Sequence, residues 1–132
     1  MTYLLDTNAC IQFLNPGTTA VSGHLAAISR EDVVICQIVK AELYYGAYKS
    51  ARRDANLALL TKFFNQFDSL PFDDAAAEAY GRLRAELARR GTPIGPNDLM
   101  IAAIALAYDL TLVTHNTSEF SRVPGLRLED WE

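Results

Sequence analysis

Pro96-Asn97-Asp98-Leu99-Met100-Ile101-Ala102-Ala103-Ile104-Ala105-Leu106-Ala107-Tyr108-Asp109-Leu110-Thr111-Leu112-Val113-Thr114 reads as a helix that runs into a buried strand. Proline suits the first turn of a helix, where its missing N–H would be unpaired in any case, so the helix starts at Pro96 and runs to about Tyr108. Thr111 to Thr114 is a short apolar run of the kind found in strands covered on both faces. Asp98 falls in the first helical turn, where the helix dipole favours a negative charge.

The same alternation extends outward. Tyr3-Leu4-Leu5 is a short strand closed by Asp6, and Val33-Val34-Ile35-Cys36 is a β-branched run with no alternation, again a strand buried on both faces. Between them, helical segments over 7–15 and 18–29 are separated by the breaker Asn15-Pro16-Gly17. Ile38 to Ala51 reads as a helix with Ala41, Tyr45 and Tyr48 at spacings of three and four, and 54–66 as another with Leu57, Leu60, Phe63, Phe64 and Phe67 as its apolar stripe. Ser69-Leu70-Pro71-Phe72 is a strand for a sheet edge, because proline cannot donate to a central ladder. Asp73 or Asp74 then caps a helix that Gly91 stops after Arg90. Leu126-Arg127-Leu128 is a candidate last strand. Strands alternating with helices predict an α/β chain: a central parallel sheet of about four to five strands flanked by helices, with residues 1–132 as one domain.

Composition narrows the function classes. Half of the 132 residues are apolar and 21% are charged, an ordinary globular balance. No apolar run approaches the ~20 residues that span a bilayer, and Asp6 sits where a signal peptide would be apolar, so a cytoplasmic protein without a membrane is expected. Cys10 and Cys36 are too few and too scattered for a disulfide framework or a zinc site, and read as reduced core thiols. Twelve Lys/Arg against sixteen Asp/Glu give a net charge of −4, hence no general attraction to nucleic acid. An RNA or DNA substrate would need local basic patches.

Four polar positions fall at comparable places in this pattern: Asp6 after the first strand, Glu42 about a turn into the helix after the second, Asp98 at the mouth of its helix, and Asn116 just past the late strand. Each has an ordinary reading. Asp98 suits a helix cap, Asp6 a turn that bonds the backbone near Asn8, Glu42 a solvated helix face and Asn116 a turn. Jointly they would meet at the carboxyl edge of one sheet, where α/β proteins bind ligands and helix N-termini converge. Two carboxylates ~5 Å apart repel by roughly 3 kcal/mol at an effective dielectric of ~20, so three such pairs approach ~10 kcal/mol before relaxation. Mg²⁺ or Mn²⁺ removes that repulsion, prefers oxygen ligands and keeps several waters, one of which can become a nucleophile. Such chemistry suits phosphodiester hydrolysis.

These residues resemble a family. Asp6-Thr7-Asn8, Glu42 in Val39-Lys40-Ala41-Glu42-Leu43, Asp98 in Gly95-Pro96-Asn97-Asp98-Leu99-Met100-Ile101-Ala102-Ala103, and Thr114-His115-Asn116-Thr117-Ser118-Glu119-Phe120 resemble PIN-domain ribonucleases, the VapC toxins of bacterial toxin–antitoxin pairs above all. The likeness runs from Tyr3 to Leu128, and its specificity lies in the order of the motifs. It implies RNA cleavage dependent on Mg²⁺, with Mn²⁺ as a substitute, and Asp6, Glu42 and Asp98 as catalytic acids and metal ligands. It further implies support from Thr7, Asn8 and Thr114, an antitoxin of the VapB kind as partner, and a homodimer. Transfer RNA is one class of substrate it suggests. Many PIN domains carry a fourth acid near the end of the late strand. Here Asn116 stands there, and either Glu119 replaces that acid or the site holds one metal tightly and a second only with substrate.

Other residues are less specific. Arg82, Arg84, Arg89 and Arg90 share one helix, and Lys49, Arg52 and Arg53 flank another. Solvated faces explain them, although a ribonuclease would use some, with Arg82, Arg84, Lys49 and Arg52 the candidates, on RNA phosphates. His115 flanks the acids as a turn or surface residue, and His24 has no evident partner. The Tyr44, Tyr45, Tyr48 and Phe63, Phe64, Phe67 groups read as core or dimer surface rather than as base-stacking platforms. A phosphoacceptor receiver domain would want a lysine after a late strand, and none follows Lys62. A dehalogenase-type phosphatase would want an acid at position 8, which is Asn. The competing reading is a non-catalytic α/β domain that binds RNA or protein.

Overall fold

The computed structural model describes residues 2–17 and 19–132. Its chain order is β1 (Tyr3–Leu5), α1 (Thr7–Leu14), α2 (Ala20–Ala26), a 3₁₀ turn (Arg30–Asp32), β2 (Val33–Cys36), α3 (Gln37–Tyr48), α4 (Arg53–Phe64), β3 (Asp68–Leu70), α5 (Asp74–Arg90), α6 (Pro96–Ala107), β4 (Thr111–Val113), α7 (Thr117–Phe120) and β5 (Arg127–Glu129). All five strands are parallel, in the order β3-β2-β1-β4-β5. The strand read from Ser69 to Phe72 is shorter and starts one residue earlier, and it does lie at an edge, with Pro71 beyond its end. The expected helix from 18 to 29 spans Ala20–Ala26 and gives way to the 3₁₀ turn, and its expected first residue, Thr18, lies outside the described residues.

Successive connections step outward from β1 to β2 and β3, then the chain returns to place β4 on the other side of β1. The sheet therefore reverses its winding between β1 and β4, and crevices form outside the carboxyl ends of strands at such a reversal. Leu4, Leu5, Ile35 and Leu112 in the central strands are fully buried, as is the run from Ile101 to Ala105 in α6. That helix is apolar on every side because α5 and the sheet enclose it. Asp73 caps α5 by accepting from the Ala76 N–H at 3.0 Å, and Gly91 ends the helix at φ 72°, a left-handed conformation that suits glycine.

One apolar stripe faces the other way from expectation. Val39, Leu43 and Ala47 are the inward residues of α3, whereas Ala41, Tyr45 and Tyr48 face outward. Both sets have helical spacing, and β2 delivers the helix with the aliphatic set against the core. On α4 the expected stripe holds: Leu60, Phe63 and Phe64 are buried, with Phe67 just beyond. Cys10 and Cys36 are free and buried, and burial pushes both thiols up, Cys36 to about 11, so they stay protonated. Among the described residues, no helix is long and apolar enough to cross a membrane.

Candidate active site

The site begins where β1 ends. The Asp6 N–H donates to the Val113 carbonyl of β4 at 3.1 Å, so the acid sits on the seam between the two strands. Its Oδ1 accepts from the Ala9 N–H at 2.8 Å and caps α1, and the residue is only 5% exposed. The turn role and the site role coexist, because a carboxylate has acceptor capacity beyond one bond. Burial raises the Asp6 pKa, against the hydrogen bonds from the Thr114 hydroxyl and the Ala9 N–H that hold it down, while Glu132 and Glu42 push it further up. Thr114, itself buried, also accepts from the Asn116 N–H at 3.0 Å and so ties the late-strand loop to Asp6.

Asp98 is not a capping residue. Gly95 takes the N-cap position of α6 without a side-chain bond, which leaves the Asp98 carboxyl in the first turn facing other acids. Half-buried, it is pushed up to about 6, first by desolvation and then by Glu119, Glu42 and Asp6. The Glu119 carboxylate moves the opposite way, because it accepts from the Asn116 amide at 2.8 Å and from the Gly95 N–H at 3.0 Å. The proximity of the two carboxyl groups pushes Asp98 up and Glu119 down. Glu42 lies a turn into α3, where Oε1 accepts from the Thr7 hydroxyl at 2.7 Å.

Asp6, Glu42, Asp98 and Glu119 thus act on one another, with Thr7, Thr114 and Asn116 as their hydrogen-bonding frame. They do not form a tight cage. Among the described residues, the trio whose ligand atoms all lie within 4.8 Å of one another is His115, Asp130 and Glu132, an exposed group joined by a His115–Asp130 hydrogen bond of 3.0 Å. Mg²⁺, which binds through one or two carboxylates plus waters, does not require a three-carboxylate cage. An oxygen-only donor set, in which neighbouring acids push up Asp6 and Asp98, fits a hard divalent ion.

Sequence reasoning placed Asn116 beside the acids but gave α7 no helix, since four residues carry no periodicity. That short helix turns Glu119 back toward Gly95. The i, i+3 spacing of Asn116 and Glu119 was the signal that would have paired them. His24, without an evident partner in the sequence, stacks on Trp131 with ring centroids 5.4 Å apart. Asn8 lies near His115 and Asn116 on the wall of a neighbouring cavity. The basic candidates differ in setting. Arg82 pairs with Glu78 at 3.1 Å, Arg84 donates to the Tyr80 hydroxyl at 2.7 Å, Lys49 lies over the Tyr45 ring, and Arg52 shares a groove with Glu42. That groove, about 590 Å³, runs between α1, α3 and α4 and is walled by Ile11, Leu14, Leu43, Leu59 and Leu60.

Comparison with known proteins gives a consistent picture. The PIN domain family matches residues 3–126. The chain is 43% identical to the tRNA(fMet)-specific endonuclease VapC of Shigella flexneri, over 98% of this chain and 97% of that one. It is 39% identical to ribonuclease VapC2 of Rickettsia felis, over 100% and 99% of the two chains. Among solved structures it is similar to VapBC from Salmonella typhimurium bound to DNA, at 40% identity and a TM-score of 0.94, covering 100% of this chain and 99% of that one.

Proposed function

The chain belongs to the PIN-domain family, and on that premise we propose that residues 1–132 act as one domain, a divalent-metal-dependent endoribonuclease that serves in the cytoplasm as the toxin of a toxin–antitoxin pair. One observation carries the reading: at the reversal between β1 and β4, Asp98 is pushed up to about 6 by burial and by Glu119, Glu42 and Asp6. A divalent cation bound there would relieve that repulsion.

Asp6, Glu42 and Asp98 are the residues that would hold Mg²⁺ or Mn²⁺, and Glu119 stands in for the fourth acid. Bound there, the ion supplies Lewis-acid polarisation of the phosphate and of an attacking water. The chain's own contributions are positional. Thr114 and the Ala9 N–H keep Asp6 an acceptor, Thr7 fixes Glu42, and Asn116 holds Glu119 against Asp98. Lys49, Arg52, Arg84 and Arg82 are the proposed phosphate contacts, which a chain of net charge −4 needs in order to hold RNA. The 43% identity to a tRNA(fMet)-specific endonuclease supports tRNA as the substrate class.

The groove beside Glu42 suits the antitoxin. Its aliphatic walls would bury apolar side chains of a VapB-like segment, and the acids at its end offer bidentate acceptors to an arginine of that segment. Exposed Tyr44, Tyr45 and Tyr48 extend this surface toward the partner or toward a second copy in a homodimer.

The test is cleavage of RNA by the purified protein with Mg²⁺ or Mn²⁺, its arrest by EDTA, and sequencing of the new 5′ ends after brief expression. Asp6→Asn and Asp98→Asn should abolish cleavage. Full activity of either variant, in preparations free of contaminating nuclease, would overturn the metal-site reading. Binding of RNA without cleavage under any metal would return the chain to a non-catalytic role.

A further inference from the structure

A second cavity, about 320 Å³, opens beside the acids and is lined by Asn8, Ile11, Gln12, His115, Asn116 and Glu132. It is linked to the site through Asn116 and α1. Asp6 caps the helix that carries Asn8 and Gln12, and Asn116 holds the Glu119 carboxylate that meets Asp98. Asn8 and Gln12 are four residues apart on α1 and so share a face. His115 is held by Asp130 at 3.0 Å, and Asp130 also accepts from the Glu132 N–H at 3.0 Å. Trp131 pins this segment: it is 2% exposed and packs against both Tyr3 and His24. The wall is therefore anchored by the buried Trp131.

Its chemistry is selective. Glu132 and Asp130 disfavour a phosphate, and His115 is already engaged by a carboxylate. Two amides on one helix face, a third from Asn116, an oriented imidazole and the exposed Ile11 side chain instead suit a flat ring with donors and acceptors along its edge. Unpaired RNA bases are recognised in this way, by stacking on aromatic or imidazole rings and by hydrogen bonds to their edges. We propose that this cavity receives one unpaired nucleobase of the RNA, next to the scissile phosphate, and sets the nucleotide preference of cleavage. Gln12 and Asn8 read the base edge, His115 packs on its face, and Asp130 acts as a positioning residue for the ring. Glu132, an acceptor, favours a base with an exocyclic amino group. The inference rests on the ribonuclease reading above and deepens it.

Two arms test it. The first titrates ¹⁵N-labelled protein, in EDTA, with each of the four ribonucleoside 5′-monophosphates and with ribose 5-phosphate. Expected are shifts of the Gln12 and Asn8 side-chain amides and of the His115 ring, about fivefold tighter or more for the best base than for the worst. Those shifts should disappear in Gln12→Ala and His115→Ala, whose backbone spectra report whether they remain folded. No response at these groups, or equal responses to all five probes, overturns the proposal. The second arm sequences the 5′ ends from a randomised RNA pool cut with Mg²⁺. Preference at one position flanking the cut should fall about tenfold in Gln12→Ala, His115→Ala and Asp130→Ala, and hold at other positions. Active variants with unchanged preference overturn the proposal. A wild type that binds a base at these groups yet cuts nothing would defeat the ribonuclease reading and leave the base site standing.

Discussion

Asp98 and Asp6 share a cluster and burial raises the pKa of both, but Asp6 also caps a helix. The folded pKa of Asp98, about 6, lies above the ordinary carboxylate value near ~4. Below pH ~4 the group is neutral in both states, and the folded state's tighter hold on the proton contributes fully. As pH rises toward 6 the unfolded chain has released the proton and the folded one has not, so that contribution falls, and it is gone above 6. Asp98→Asn should therefore flatten the metal-free melting temperature between pH 4 and 7 and raise stability at pH 7.5 by at most ~3 kcal/mol. Thermal melts in EDTA check this, and an unchanged pH slope would show that the acids do not repel. At Asp6 the side chain also caps α1. Asp6→Asn keeps that acceptor and the fold, whereas Asp6→Ala should lose a further ~1 kcal/mol, measurable by urea denaturation.

At the scale of elements, α5 offers a clean internal contrast. Gly81 lies in its exposed interior with open space where a Cβ would go, while Gly91 ends it at φ 72°. Gly81→Ala should stabilise by about 0.5–1 kcal/mol, because alanine loses less backbone entropy in a helix. Gly91→Ala should destabilise by about 1 kcal/mol, because the left-handed conformation crowds a Cβ. Paired melts of the two variants decide whether α5 ends where the structure has it. Both changes lie away from the acids, so neither should alter a metal-induced shift in melting temperature.

For the whole molecule, the site is a property of the sheet's reversal, so metal, partner and stability are linked through it. Saturating Mg²⁺ should raise the melting temperature of the wild type, since binding to the native state alone stabilises by about 2.7 kcal/mol at a hundredfold excess over Kd. Asp98→Asn should shrink that rise. A partner whose arginine enters between the acids should compete with the metal and bind more weakly to Asp98→Asn. Leu59→Glu, which places a charge on the groove wall, should weaken antitoxin capture at least about tenfold, because it desolvates an unpaired carboxylate. Calorimetry with the co-expressed antitoxin checks both, and an unaffected affinity would place the partner elsewhere.

Local chemistry in the sequence determined the elements and pointed to most of the candidate site residues. The β-branched run at Val33–Cys36, proline at the start of α6, the cap at Asp73 and Gly91 after Arg90 each act within a few residues, so their meaning survives without the fold. Asp6 and Asp98 were legible as candidates because they stand at a strand end and a helix mouth, and Glu42 because it is an acid among apolar neighbours a turn into the helix after β2. Tertiary structure alone decided the rest. Which face of α3 turns inward depended on the strand that delivers it, since Val39-Leu43-Ala47 and Ala41-Tyr45-Tyr48 both have helical spacing. The role of Glu119 depended on α7, too short for a periodic signal, and on the approach of Gly95 from a distant loop. The Trp131–His24 stack depended on β5 pairing with β4. Periodicity tells which side of an element is apolar, but the partner that covers it is chosen by contacts between residues far apart in the chain, and those are settled only when the sheet closes around β1.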